Sequence, residues 1–212
     1  ENETFRYDFT QGTSAQDFAA VTGGTFKKDK TMEIVRGTSG ISTVGKFGAN
    51  ITRIRFANVE ASASYKHGNI TVSLDEANNE LIVSDGVTEH AIALEENFVY
   101  QNALLQVEET LGKIAVSIIS GDKPIAAIMG SVYEFTVNNT LTATEISIVT
   151  PYLASVKELF VFNLDSVDAA PAPVQEEQSA APAMETISTT EFAPDTDDSP
   201  TKPVTDINSI FF

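Results

Sequence analysis

Two histidines, thirty acidic side chains and no cysteine bound the chemistry open to this chain of 212 residues. The acids that could work in pairs are Glu95-Glu96 and Glu108-Glu109. Glycoside hydrolysis needs two carboxyl groups facing one another across a cleft, about 5–10 Å apart. Neighbours on a strand point to opposite faces, so neither pair meets that need by itself. His67 stands in Lys66-His67-Gly68, which reads as a turn, and His90 in the strand-like Glu89-His90-Ala91. Neither adjoins a Gly-x-Ser-x-Gly elbow, and both are expected on the surface rather than as catalytic bases. The absence of cysteine excludes disulfides, thiolate catalysis and thiolate-held metals. No enzymatic activity and no resident cofactor are expected.

Two binding chemistries remain. A sugar ring could stack on Tyr65, Tyr100 or Tyr152, with Asn and Asp side chains fixing its orientation. Tryptophan, the strongest platform, is absent. Calcium takes hard oxygen ligands, and Asp75, Glu76, Asn78 and Glu80 crowd into one polar stretch. That stretch lacks the spacing of an EF-hand and reads first as a solvated hairpin loop.

The third candidate lies at the chain end. All 12 glycines fall within residues 1–164, whereas residues 165–212 hold six of the 8 prolines, ten acids and one base, Lys202. Such a segment has too little apolar surface to offset its ordering entropy. Its apolar residues are nevertheless grouped: Ile187 and Phe192, then Ile207, Ile210, Phe211 and Phe212. These six are expected to anchor an acidic, Pro-rich extended tail to a partner. Residues 1–164 are expected to form the folded domain.

A formal charge of −17 excludes nucleic-acid binding through phosphate neutralisation, and no apolar run has the ~20 residues needed to insert through a bilayer. The composition suits an extracellular or virion protein. Sequons at Asn2, Asn50, Asn69 and Asn138 only slightly exceed the roughly two or three that chance would place, and are weak evidence of glycosylation.

The folded part must be built from strands. Short β-branched and aromatic runs separated by turn residues occur at 4–10, 51–59, 69–74, 81–84, 87–94, 103–107, 112–119, 124–129, 132–137, 143–149 and 157–164. Asp85-Gly86 predicts a two-residue type I′ hairpin. One short helix is expected at 14–21, capped by Ser14. The pattern predicts an all-β protein, an antiparallel β-sandwich of jelly-roll kind.

Phe5-Arg-Tyr-Asp-Phe9, Gly112-Lys-Ile-Ala-Val-Ser-Ile-Ile-Ser-Gly121 and Val156-Lys-Glu-Leu-Phe-Val-Phe-Asn-Leu164 resemble the strand pattern of concanavalin A-like jelly rolls. The resemblance covers residues 4–164. It implies that the first strand pairs near the last and that hairpins fill the middle of the chain. The alternating Glu-x-Asp-x-Glu strand of the jelly-roll glycosidases is missing. The expectation is a non-catalytic structural subunit of an extracellular or virion assembly, joined by its tail to copies of itself or to other subunits. The alternative is a secreted carbohydrate-binding, lectin-like module.

Overall fold

The computed structural model describes residues 4–11, 21–124 and 132–164, with residues 4–6 by backbone alone. The strands in chain order are β1 (Thr4–Asp8), β2 (Val21–Thr22), β3 (Thr25–Phe26), β4 (Met32–Val35) and β5 (Ile41–Thr43). β6 (Asn50–Glu60), β7 (Ser62–His67), β8 (Ile70–Asp75), β9 (Glu80–Ser84) and β10 (Glu89–Ala93) follow. The last five are β11 (Leu104–Thr110), β12 (Lys113–Ile119), β13 (Val132–Thr136), β14 (Ile146–Val149) and β15 (Leu153–Asn163). No helix among the described residues is long and apolar enough to cross a membrane.

Antiparallel pairing arranges these strands in two sheets. The first runs β13-β12-β11-β6-β15-β4-β3, and β1 lies along the other half of β15. The second runs β10-β9-β8-β7-β14-β5-β2. Both topological expectations of the resemblance are met: β1 pairs with β15, and the hairpins β7-β8-β9-β10 occupy the middle of the chain. The fold is an antiparallel jelly-roll sandwich.

Period-two patterning drives the packing. Along β8, Ile70, Val72 and Leu74 are fully buried while Thr71, Ser73 and Asp75 face outward. Ile54 and Phe56 of β6, Leu105 and Val107 of β11 and Leu159 and Val161 of β15 meet them from the first sheet. A bulge between Ser155 and Glu158 re-phases β15, so that Val156 and Leu159 both reach the core. Each large side chain so buried contributes roughly 1.5–3 kcal/mol before entropy is counted.

Several turns differ from expectation. Ser84 pairs with Glu89, so the β9–β10 loop holds four residues rather than the two of a type I′ turn. The Asp85 carboxylate captures the loop instead, with Oδ1 accepting from the amides of Val87 (3.0 Å) and Thr88 (2.7 Å). Two-residue connections occur elsewhere, at Gly68-Asn69 and Leu111-Gly112. The strands β2, β3, β4, β5 and β7 are additional to those expected from the sequence, and β7 lies in the middle of the second sheet. Residues 14–20 of the expected 14–21 helix lie outside the described residues, and Val21 begins β2. Most of the expected 124–129 strand also lies outside them.

Candidate functional site

The strand β7 organises the site. Its sequence Ser-Ala-Ser-Tyr-Lys-His carries no β-branched residue, yet Ala63, Tyr65 and His67 point into the sandwich, while Lys66 is exposed on the outer face and Ser64 on that face is covered. Two polar systems result, one on each side of the strand.

On the outer face, cross-strand pairing sets Thr22, Ser42, Ser147, Lys66, Thr71 and Ser84 in one row. The distance from Thr22 to Lys66 along the row is about 14 Å, three interstrand steps. Ser42 Oγ and Ser147 Oγ lie 2.6 Å apart, and in the next row Ser64 Oγ and Ser73 Oγ repeat that contact at 2.6 Å. A groove of about 530 Å³ opens over the first row, lined by Thr22, Ser42, Ser147, Lys66, Thr144 and Glu145 among others. Its walls are drawn together by glycine. A Cβ on Gly40 would lie 2.0 Å from the Ile148 carbonyl oxygen, and one on Gly23 would lie 2.1 Å from that of Gly40. Only a hydrogen at these positions lets the β2–β5–β14 end close up.

The groove carries two charged side chains. The Glu145 carboxyl is held below the ordinary glutamate range by its own backbone amide first, then by the Thr144 hydroxyl and the Lys46 ammonium. Lys46 Nζ stands 4.0 Å from it. Lys66 is exposed and has no ion pair among the described residues.

On the inner face, His67 and Glu109 are buried between the sheets, contrary to the surface position expected for this histidine. The reason is register: His67 is the last residue of β7 and pairs with Ile70, so it shares the inward face of Tyr65. His67 Nε2 lies 2.6 Å from the Phe47 carbonyl oxygen, which can only accept, so Nε2 bears hydrogen. Nδ1 lies 2.7 Å from Glu109 Oε1, and one proton is held between them. Tyr65 Oη also donates to Oε1 at 2.9 Å, and Asn139 Nδ2 donates to Oε2 at 2.9 Å. Asn50 Nδ2 donates to Tyr65 Oη at 3.2 Å, and Thr52 Oγ1 donates to Asn50 Oδ1 at 2.6 Å. Burial pushes the Tyr65 phenol well above its usual range, and the Glu109 charge pushes it further. A small cavity of about 150 Å³, lined by His67, Asn69, Glu109, Thr140 and Thr142, adjoins this network. Gly68 and Thr144 border both the cavity and the groove.

The three tyrosines named as sugar platforms do not converge. Tyr65 is fully buried, so its ring has no face to offer a ligand. Tyr100 is buried as well, packed edge-on against Phe98 at 4.7 Å, with its hydroxyl donating to Asn79 Oδ1 at 2.6 Å. Burial, followed by the charges of Glu76 and Asp75, pushes that hydroxyl up to about 12. Tyr152 is half exposed, and the Arg36 guanidinium lies over its ring at 5.9 Å.

In the β8–β9 loop, Asp75 accepts from Asn78, and Glu76 accepts from the Ala61 amide at 3.2 Å. Asp75 and Glu80 face each other as the closing pair of the hairpin. Among the described residues, no three His, Asp or Glu side chains are grouped to hold a metal ion. Asn50 is fully buried, which removes its sequon from the surface. The tail residues Ile187, Phe192, Ile207, Ile210, Phe211 and Phe212 lie outside the described residues.

Sequence reasoning did not find Ser42, Ser147, Lys66 or the His67–Glu109 pair as a site. A signal existed: hydroxyl residues recur at every second position in β7 and β8, as Ser62, Ser64, Thr71 and Ser73. Which strands they would adjoin was not in the sequence.

No family model matches the chain, and no curated protein does. Among solved structures, the exoplasmic/lumenal domain of VIP36 in its Ca2+-bound form aligns with 76% of this chain and 90% of its own, at 9% identity and a TM-score of 0.49. A Bacillus licheniformis beta-glucanase aligns over 76% of this chain and 97% of its own, at 12% identity and a TM-score of 0.49. Chicken galectin 2 aligns over 61% of this chain and 96% of its own, at 14% identity and a TM-score of 0.40. At these identities the likeness concerns the arrangement of strands and extends to no ligand.

Proposed function

We propose that the described sandwich is a non-catalytic carbohydrate-binding domain whose ligand lies in the groove on the outer face of the second sheet. The observation that carries this reading is the hydroxyl row Thr22–Ser42–Ser147, which adjoins Lys66 and is set in an open groove of about 530 Å³. Sugars present alternating donors and acceptors, and hydroxyl side chains can serve as either. Rigid strands hold these groups in place, so little ordering entropy is lost on binding. With no aromatic platform in the groove lining, affinity for one sugar unit is low, each neutral hydrogen bond adding about 0.5–1.5 kcal/mol. Glu145 is the only carboxylate among the described residues lining the groove, whereas hydrolysis would require a second acid opposite it.

Residues 165–212 are assigned the role of a tether in the same reading. Their acidic, Pro-rich composition and grouped apolar residues suit a segment that joins the sandwich to copies of itself or to other subunits of an extracellular or virion assembly. Multivalent display would then raise weak single-site binding to useful avidity.

A glycan array followed by calorimetry on the full chain tests the binding role. Wild-type protein and Tyr152→Ala should bind the same glycans, while Ser147→Phe should lose them with an unchanged circular dichroism spectrum. Ser42→Phe provides a second obstruction should the first variant fold poorly. Absence of glycan binding by the wild type, or undiminished binding by a folded groove-filling variant, would sink the reading.

A further inference from the structure

We infer that the groove selects an acidic saccharide, whose carboxylate is bound by Lys66; this rests on the carbohydrate reading and narrows it. The chain has 13 basic residues against 30 acidic ones, so an ammonium group that lines a groove without an ion pair calls for an account. Among the described residues Lys28 and Lys30 also have no ion pair, but they lie outside the groove lining, and most other bases are engaged. Lys27, Lys46, Lys113 and Lys123 stand within 4.0 Å of Glu33, Glu145, Glu134 and Glu95. Arg53 donates from Nε (3.0 Å) and Nη2 (2.8 Å) to Gln106 Oε1, and Arg55 donates to the Asn102 carbonyl.

Lys66 is different by position. Its cross-strand neighbours are Ser147 and Thr71, both neutral, and its outward side lines the groove. The one acid among the described residues of the lining, Glu145, stands 4.0 Å from Lys46. The ammonium is therefore flanked by hydroxyl groups that can hold a sugar ring, with no built-in counter-ion. A ligand bearing a carboxylate beside its hydroxyls completes both halves of this arrangement. Lysine offers a mobile point charge rather than a bidentate fork, which suits a carboxylate on a ring that settles against the hydroxyl row. A hydrogen bond between charged partners is about twice as strong as one between neutral ones. Discrimination against a neutral analogue should therefore come from this one contact.

The test compares an oligouronate with its carboxyl-reduced neutral counterpart, titrated into the full chain by calorimetry. Wild type should bind the acidic form about tenfold more tightly, the ratio worth 1.4 kcal/mol. Lys66→Gln should reduce that preference, read as the ratio of the two affinities within the variant, to less than about threefold. Lys66→Arg should retain most of the preference, and Lys28→Gln, away from the groove lining, should retain all of it. Equal binding of both sugars by wild type would overturn the inference and leave the carbohydrate reading standing. Binding of neither sugar, on a protein that also binds nothing on the array, would remove both. Equally tight, Lys66-dependent binding of a sulfated neutral oligosaccharide would overturn the assignment to a carboxylate.

Discussion

His67 and Glu109, 42 residues apart in the chain, join the two sheets through a contact of 2.7 Å in the interior of the sandwich. His67 ends β7 in the second sheet and Glu109 lies on β11 in the first. The next outward side chain on β7 is Lys66, so the groove floor is laid over this buried pair. Position at the outer face thus depends on polar satisfaction at the inner one. A hydrophobic interior alone would fix the spacing of the sheets without fixing the register of β7 against β11.

Removing the shared acceptor tests that dependence. Glu109→Leu removes the acceptor shared by the Tyr65 hydroxyl, His67 Nδ1 and the Asn139 amide, all buried. The expected loss is several kcal/mol, about 1–3 kcal/mol for each buried polar group that loses this acceptor. Glu109→Gln keeps the shape and one acceptor oxygen, and should cost less. Urea denaturation of the three proteins gives the comparison. A loss below about 1 kcal/mol for the leucine variant would show the network to be peripheral to stability.

The sandwich was legible where a strand alternates strongly and is long. Ile70, Val72 and Leu74 on β8 and Leu105 and Val107 on β11 signalled strands with one buried face, and both strands are present. β7 was illegible by the same rule, because Tyr65 is its one strand-favouring residue and its place in the sheet comes from pairing on both sides. The site suffered most from that omission. Its hydroxyl row is assembled from β2, β5, β14, β7 and β8, elements spread from Thr22 to Ser147, and only the sheet order makes them neighbours. Tyr65 failed as a surface platform for a related reason: parity along β7 turns it inward with His67. At Asp85-Gly86, the dipeptide signalled a turn correctly, but the carboxylate's hold on two amides lengthened the loop.

That carboxylate gives an acid-range prediction. Asp85 is lowered to about 2 by the backbone amides of Thr88, Asn138 and Val87. Its folded value lies below the usual aspartate value of about 3.9, so the group contributes stability above that pH and loses it as pH falls through about 2. Asp85→Asn removes the charge and keeps an acceptor. The gap in melting temperature between wild type and variant should be full at pH 6 and should narrow from pH 4 toward pH 2. A gap independent of pH would show that hydrogen-bond geometry, rather than ionisation, accounts for the effect.

Two glycines separate backbone strain from steric closure at the groove. Gly37 and Gly40 have nearly the same φ, 80° and 78°, so alanine is strained at each by its left-handed conformation, at roughly 1–2 kcal/mol. Their surroundings differ. A Cβ on Gly37 meets nothing within 4 Å, whereas a Cβ on Gly40 meets the Ile148 carbonyl oxygen at 2.0 Å and the carbonyl carbon at 3.0 Å. Gly37→Ala should therefore show the conformational cost alone and leave ligand binding unchanged. Gly40→Ala must also push β14 away from β5, which displaces Ser147 from Ser42 and widens the groove. Its loss in denaturant titrations should exceed that of Gly37→Ala by at least about 1–3 kcal/mol, the usual cost of overpacking. Its affinity for the groove ligand should fall as well. Equal losses for the two variants would mean that the strand ends at Gly40 yield freely, and the groove would then owe its shape to something other than this close approach.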